Sequence, residues 1–359
     1  MLSLAAAHLS YLLPLDPRYH RAKHCLLGRA LHDYRNALSA PITPSNCDSL
    51  LGGAILVHYL LWCDLSFMDG QDPSRAPLDL SSDRLYWLST GQRQIFFMAW
   101  PLFQREESIF TKVGILQPCM AMSDEVEARG LNWRRIFREF DDIYDNPRYK
   151  GGRKDGSTSL EETGPLLSEM AGPSPSGSDM FSESSGGCPL AAVFDDQGDV
   201  GFGFELSASN RYPPLRVSTL FDSYREGEAF VRGGGVANET LTRASYKRLA
   251  ERVAIAMVFT EDARKNGSCP VSFSQEDTVR YVLTFPMLCF GPLLPLISSG
   301  DSRVLLLLLH SYQAVEELLP SDKYWWCRKR VVMMRKSIME ELRARGLEVC
   351  RRSNRDALW

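Results

Sequence analysis

Three aspartates in Phe140-Asp141-Asp142-Ile143-Tyr144-Asp145 offer the most direct chemistry in this 359-residue sequence. On a helix, Asp141 and Asp145 stand four residues apart on one face, where two carboxylates can hold magnesium against a diphosphate. His20 and His24 are spaced in the same way, with Cys25 beside them; zinc accepts such a pair, but no third ligand stands at a useful interval. Gly233-Gly-Gly235 lacks the following G-K-S/T of a phosphate loop, and Gly201-x-Gly203 lacks a third glycine and a preceding strand. Both read as loop glycines. No G-x-S-x-G elbow is present.

The elements that must position these residues are helices. In Arg21 to Ala40 the residues Ala22, Leu26, Ala30, Tyr34 and Leu38 recur every four positions, and Leu27 and Leu31 widen the stripe. Pro41 ends that helix. After Pro41-Ile-Thr-Pro-Ser-Asn46, where Ser45 or Asn46 can cap backbone N–H groups and Asp48 favours the first turn, a second helix runs through Leu50, Leu51, Ala54, Ile55, Val57, His58 and Leu61. Being apolar nearly all round, it is expected at the centre of the fold. Further helices are expected at Arg84 to Ala99, Trp100 to Val113, Asn132 to Tyr144, Glu239 to Arg264, Gln275 to Leu283, Ser302 to Leu319 and Lys323 to Arg345. Strand alternation is hard to find, so the fold class is all-α, a multi-helix orthogonal bundle. Between Gly151 and Cys188 about half the residues are Gly, Ser or Pro, too little apolar surface to offset chain entropy. The domain layout is therefore 1–150, a disordered insertion at 151–192, and 193–359 completing the same helical domain.

Composition narrows the function classes. An apolar fraction of 44% with 24% charged residues suits a globular chain. A net charge of -3 argues against a surface devoted to nucleic acid. The one basic stretch, Lys323 to Arg355, reads as a solvated helix face. Nine cysteines are scattered without a C-x-x-C pair, the pattern of reduced thiols rather than a disulfide framework or a zinc site. The opening Met1 to Leu15 is apolar but has no basic start, and reads as a core helix rather than a secretion signal. The sequons at Asn238 and Asn266 then carry no meaning. Tyr281 to Ile297 is broken by Pro286, Gly291, Pro292 and Pro295, and Leu305 to Leu309 is short, so no membrane span is expected.

Aromatic and apolar groups crowd the C-terminal part: Phe273, Tyr281, Phe285, Met287, Phe290, Trp325 and Trp326. They suit a core, or a cavity for a sterol or another lipid. The candidate ligand-binding set is Phe285, Leu288, Phe290, Leu294, Tyr312, Trp325 and Trp326.

Two resemblances bear on these residues. Asp141-Asp142-Ile143-Tyr144-Asp145 matches the D-D-x-x-D pattern of class I terpene synthases, which are all-helical magnesium enzymes; their second metal-binding string, N/D-D-x-x-S/T-x-x-x-E, is not found. More of the chain resembles the fungal-specific regulatory domain of zinc-cluster transcription factors, in the subgroup of the sterol uptake control protein. The residues carrying it are His24, Ala30-Leu31, Arg35, Leu38 and Ile42-Thr43-Pro-Ser-Asn46-Cys47-Asp48-Ser49-Leu50, then Phe285 to Leu318 followed by Tyr324-Trp325-Trp326. Departures are Phe285 for a Trp, Val304-Leu305 for Ala-Leu, and Ser311 between His310 and Tyr312. That resemblance implies a ligand-responsive effector domain in the nucleus, cytoplasmic when ligand-bound, and not an enzyme. Its expected partners are a sterol or other hydrophobic small molecule, the transcription machinery or a chaperone, and a second copy of the chain. It places zinc, and contact with DNA, only in a cluster upstream of Met1, with no cofactor in this chain.

Overall fold

The computed structural model describes residues 1–68, 78–103, 108, 110, 118–151, 238–266, 275–289, 291–319 and 322–347. Residues Met1–Arg153 and Arg211–Trp359 belong to one compact unit. Residues 154–210 lie outside the described residues, as do all but the first of the expected linker 151–192. The described residues on both sides of 152–237 share one hydrophobic core, from Leu61 to Tyr144 and from Tyr246 to Leu347.

The fold is all-α: eleven helices and no strand occur among the described residues. They are α1 (Leu2–Leu12), α2 (Pro17–Leu38), α3 (Cys47–Trp62), α4 (Arg84–Phe103), α5 (Pro118–Ala128), α6 (Trp133–Asp145), α7 (Glu239–Asn266), α8 (Gln275–Thr284), α9 (Leu293–Ser298), α10 (Ser302–Leu318) and α11 (Trp325–Ala344). The outer layer pairs α1 with α2 and lays both on α3, which packs on α4 and α11. The deep layer sets α10 between α7 and α11, with α6 and α5 against α7.

Local sequence explains most boundaries. α2 starts four residues before the expected Arg21 because Asp16 accepts from Arg18 N at 2.9 Å and Pro17 occupies the first turn. α6 begins at the Asn132 cap, whose Oδ1 accepts from Arg135 N at 3.3 Å, and buries Ile136, Phe140 and Tyr144 at four-residue intervals. α4 runs unbroken from Arg84 to Phe103, where two helices were expected; Pro101 falls in its last turn, so only the carbonyl four residues earlier loses its helical N–H donor before the helix ends. The rest of the expected helix to Val113 lies outside the described residues but for 108 and 110. α9 stops at Gly300, φ +61°, which lets Asp301 N reach back to the Leu296 carbonyl at 2.8 Å.

Asn46 does not cap α3 with its side chain, as the sequence led one to expect. It turns backwards instead: Oδ1 accepts from Thr43 N at 2.8 Å and Nδ2 donates to the Pro41 carbonyl at 3.0 Å. The preceding turn is thereby closed on itself, and Cys47 is buried behind it. Gly53 lets α2 come close, since a Cβ there would stand 2.9 Å from the Tyr34 ring. Tyr34 Oη also donates to the Leu50 carbonyl at 3.0 Å.

The centre of the fold is α10, not α3. Thirteen of the 17 residues of α10 are buried, against eight of 16 in α3. An all-apolar face list marks both as interior helices, but α3 has α1 and α2 on one side only. The stretch Cys47–Met68 is long and apolar enough to cross a membrane, with mean hydropathy 1.6 and half of it buried. In this fold its carbonyl end is fastened by a buried arginine, as a core helix requires.

Candidate functional site

That arginine is Arg330 of α11. Its side chain is 1% exposed and forms an ion pair of 2.7 Å with Asp83, itself 0% exposed. Nε donates to the Trp62 carbonyl at 3.2 Å and Nη2 to the Leu61 carbonyl at 3.1 Å and to that of Asp64. These carbonyls belong to the last turn of α3 and the residues just after it, where helical N–H donors run out; Leu61 O also accepts from Asp64 N at 3.1 Å. Asp83 also accepts from Leu85 N at 3.0 Å at the start of α4. One cation thus joins α3, α4 and α11. The expectation that the basic stretch is a solvated face holds for Arg328 and Lys329, which are exposed, and fails for Arg330. Arg330 follows Trp326 and precedes Met334 by one helical turn each, so it lies on the buried stripe of α11.

Above this pair lie two of the aromatic candidates. Trp326 stands edge-on to Trp62 at 5.6 Å and to Tyr59 at 5.1 Å. Tyr312 meets Trp62 at 6.3 Å and shares a hydroxyl hydrogen bond of 2.9 Å with Tyr86. Burial pushes both phenol pKa values up, so neither serves as a base near neutral pH. Phe285 and Leu294 belong to the same core, with Leu288 and Trp325 packed against it; Phe290 lies outside the described residues. Trp325 points the other way, stacked on His8 of α1 at 4.6 Å.

These residues are brought into one core but not round one chamber. Phe285 lines a cavity between α7, α8 and α10 with Arg252, Tyr281 and Ser311; none of the other five described candidates does. The cavity has about 10 Å³ of room, enough for one water molecule. Ligand pockets for sterol-sized molecules start at roughly 300 Å³. A lipid therefore enters only if side chains move.

His58 of α3 is a further buried titratable group, set among apolar residues that give it no distinguishing signal in the sequence. Nε2 lies 2.8 Å from the Leu283 carbonyl and 3.2 Å from the Trp62 indole nitrogen, and Nδ1 lies 3.2 Å from Ser89 Oγ. Burial pushes its pKa down to about 4, opposed by the Leu283 contact and helped by Arg330. A serine in contact with a histidine suggests a nucleophile pair. Here Ser89 is 0% exposed and its hydroxyl donates to the Leu85 carbonyl, so no substrate reaches it.

The other chemical candidates are placed as follows. Asp141 and Asp145 share one face of α6, as the spacing predicts, and basic residues of α7 occupy them. Arg243 donates to Asp145 at 2.7 and 2.6 Å and to Asp141 at 3.1 Å, and Lys247 Nζ lies 3.0 Å from Asp141. Arg243 holds the Asp145 carboxyl below the usual carboxylate range. Asp142 is exposed on the next face. His20 and His24 lie 4.7 Å apart on the outside of α2, their rings tilted by 53°. No cluster of three metal-ligating side chains occurs among the described residues. Burial pushes the Cys63 and Cys327 thiols up to about 12, which makes them poor nucleophiles; Cys25 is exposed.

Compared with family models, curated proteins and solved structures, the chain matches none. Its chemistry has to be read from its own residues. Two signals of the site were present in the sequence: Arg330 on an apolar stripe, and Asp83 one residue before a helix start. The cavity at Arg252 had none, because its walls come from three separate helices.

Proposed function

We propose that this chain is a ligand-responsive regulatory domain of the fungal zinc-cluster transcription-factor kind, acting in the nucleus on a hydrophobic small molecule such as a sterol, and not an enzyme. The observation that carries the reading is the turn Ile42 to Leu50, the stretch with the fullest family-like pattern. Three of its residues make specific bonds: Asn46 closes the turn, Cys47 Sγ donates to the Pro44 carbonyl at 3.4 Å, and Asp48 accepts from Ser108 Oγ. A pattern so tied to local geometry is one that a fold would retain. The all-α architecture is also what the resemblance implies. Contact with DNA and any bound zinc belong, on this reading, to an attached cluster. A chaperone, the transcription machinery and a second copy of the chain are its proposed protein partners.

A reporter experiment tests it. The full chain is fused to a heterologous DNA-binding domain, and reporter output is measured with cellular sterol normal and depleted. Output that changes on depletion is the expected result. A constant output, together with an unfolding temperature that does not move at saturating ergosterol, overturns the reading.

A further inference from the structure

The cavity between α7, α8 and α10 is small, and its polar lining is unusual. Arg252 is 7% exposed. Its Nη2 donates to the Tyr281 carbonyl at 2.9 Å and to Thr284 Oγ1 at 2.6 Å, and its guanidinium lies 3.8 Å over the Tyr281 ring. Tyr281 Oη in turn donates to the Arg252 carbonyl. None of these partners carries negative charge. The Nε–H is buried and has no acceptor among the described residues.

Three other arginines of the interior show what is missing. Arg330 sits on Asp83, Arg303 on Asp301 at 2.9 Å, and Arg345 on Glu341 at 2.8 Å. Among the described residues Arg252 has no carboxylate. An arginine does not shed its proton inside a protein, so burial without a counter-charge is unfavourable. A protein retains such a group where something supplies the anion. The other walls are apolar, among them Val282, Phe285, Val315 and Leu318, with the Ser311 hydroxyl alongside.

We infer that Arg252 anchors a binding site for a monocarboxylate with an aliphatic tail, its carboxylate taking the free Nε–H and its tail displacing the side chains around Phe285 and Leu318. This deepens the ligand-responsive reading, and rests on it for there being a ligand at all. A charge-assisted bond from the Nε–H suits a carboxylate, while the Nη2 bonds and the Tyr281 ring hold the guanidinium in place. With about 10 Å³ of room the site is closed when empty, so binding is coupled to movement of α8 against α7 and α10.

The test uses the full chain, with decanoate as probe, decanol as its neutral counterpart, and ergosterol, followed by calorimetry and tryptophan fluorescence. Decanoate is expected to bind and decanol to bind at least about ten-fold more weakly. Arg252→Met is expected to weaken decanoate by about ten-fold and to leave decanol unchanged. Arg252→Lys, which keeps the charge and loses the fixed Nε–H, is expected to fall between, and it decides the matter should Arg252→Met fail to fold. Equal binding of decanoate and decanol, or no binding of decanoate, overturns the inference. Ergosterol binding with decanoate inert leaves the regulatory reading standing and removes this one. Decanoate binding with a sterol-independent and decanoate-independent reporter keeps the site and removes the regulatory reading.

Discussion

Helices α2 and α10 look alike as sequence and live differently in the fold. Both carry leucines at helical spacing, yet α2 buries one side chain of 22 residues and α10 thirteen of 17. The stripe of Ala22, Leu26, Ala30, Tyr34 and Leu38 is present, but α2 packs chiefly on α1 and α3, and Leu38 is left 38% exposed. α10 is enclosed by α6, α7, α9 and α11. The polar groups divide in the same way. Charges around α2 pair locally in water, as Arg18 does with Asp16, whereas the deep layer holds Arg330 with Asp83 and Arg303 with Asp301 away from it. Periodicity fixes which face turns inward; how many neighbours cover it is a tertiary matter.

The largest expected effect comes from cutting the deep pair. Arg330→Met leaves the Asp83 carboxylate buried without a cation and removes the guanidinium from the carbonyls of Trp62, Asp64 and Leu61, the last of which keeps only the Asp64 N–H. Removing one partner of a buried pair costs about 3–5 kcal/mol. Urea unfolding measures it. Adding Asp83→Asn, which removes the stranded charge and can still cap α4, is expected to restore part of the loss. Arg328→Met on the exposed face of α11 serves as the control, and equal losses from Arg328 and Arg330 abolish the contrast between the layers.

Apolar truncation sharpens the same contrast. Leu307 of α10 is 0% exposed, and Leu307→Ala is expected to cost about 2–5 kcal/mol. Leu38→Ala on α2 is expected to fall within about 0.5 kcal/mol of the parent. Two chemically identical changes at two helices of similar pattern thus test position alone. A Leu38 effect as large as that of Leu307 means that α2 is covered by something, such as a second copy of the chain.

A third test is the pH dependence that His58 imposes on the deep layer. In the unfolded chain the imidazole takes a proton near 6.5, and in the fold only near 4. Between those values the unfolded state binds more protons, so stability rises with pH. The contribution is fully present above about pH 6.5 and is lost as pH falls to about 4, on the order of 3 kcal/mol in all. The groups facing His58 are the Leu283 carbonyl, the Trp62 indole, Ser89 and, at longer range, Arg330. His58→Gln is expected to flatten the curve over that window. A variant with the parent's slope there assigns the acid sensitivity to other groups.

These contrasts also show what sequence can carry. Helix positions and the all-α class were legible because caps and four-residue spacing are local: Asn132 at α6, Asp16 with Pro17 at α2, Gly300 after α9. The Asp141 and Asp145 face was legible for the same reason. What the spacing could not show was that Arg243 and Lys247, about a hundred residues later, would lie on it. Arg330 and Asp83 are 247 residues apart, and the cavity at Arg252 needs α7, α8 and α10 together. Chemistry written by one helix can be read from one helix, and chemistry made by crossing helices cannot.

The smallest expected effect belongs to the most suggestive motif. Asp141 and its partners sit on the surface: the side chains of Asp141, Arg243, Lys247 and Asp145 are 25%, 36%, 40% and 56% exposed. Water screens such pairs, and salt screens them further. Asp141→Asn is therefore expected to shift the urea midpoint detectably only at low ionic strength and not at about 150 mM salt. A magnesium site at the same place makes a different prediction, because two cations already hold the carboxylates and a divalent ion has to displace them. With a prenyl diphosphate and magnesium, the parent and Asp141→Asn are expected to behave alike and to release no product. Turnover in the parent that Asp141→Asn abolishes turns this outer patch into the working site. It also reverses the assignment of function to the deep layer.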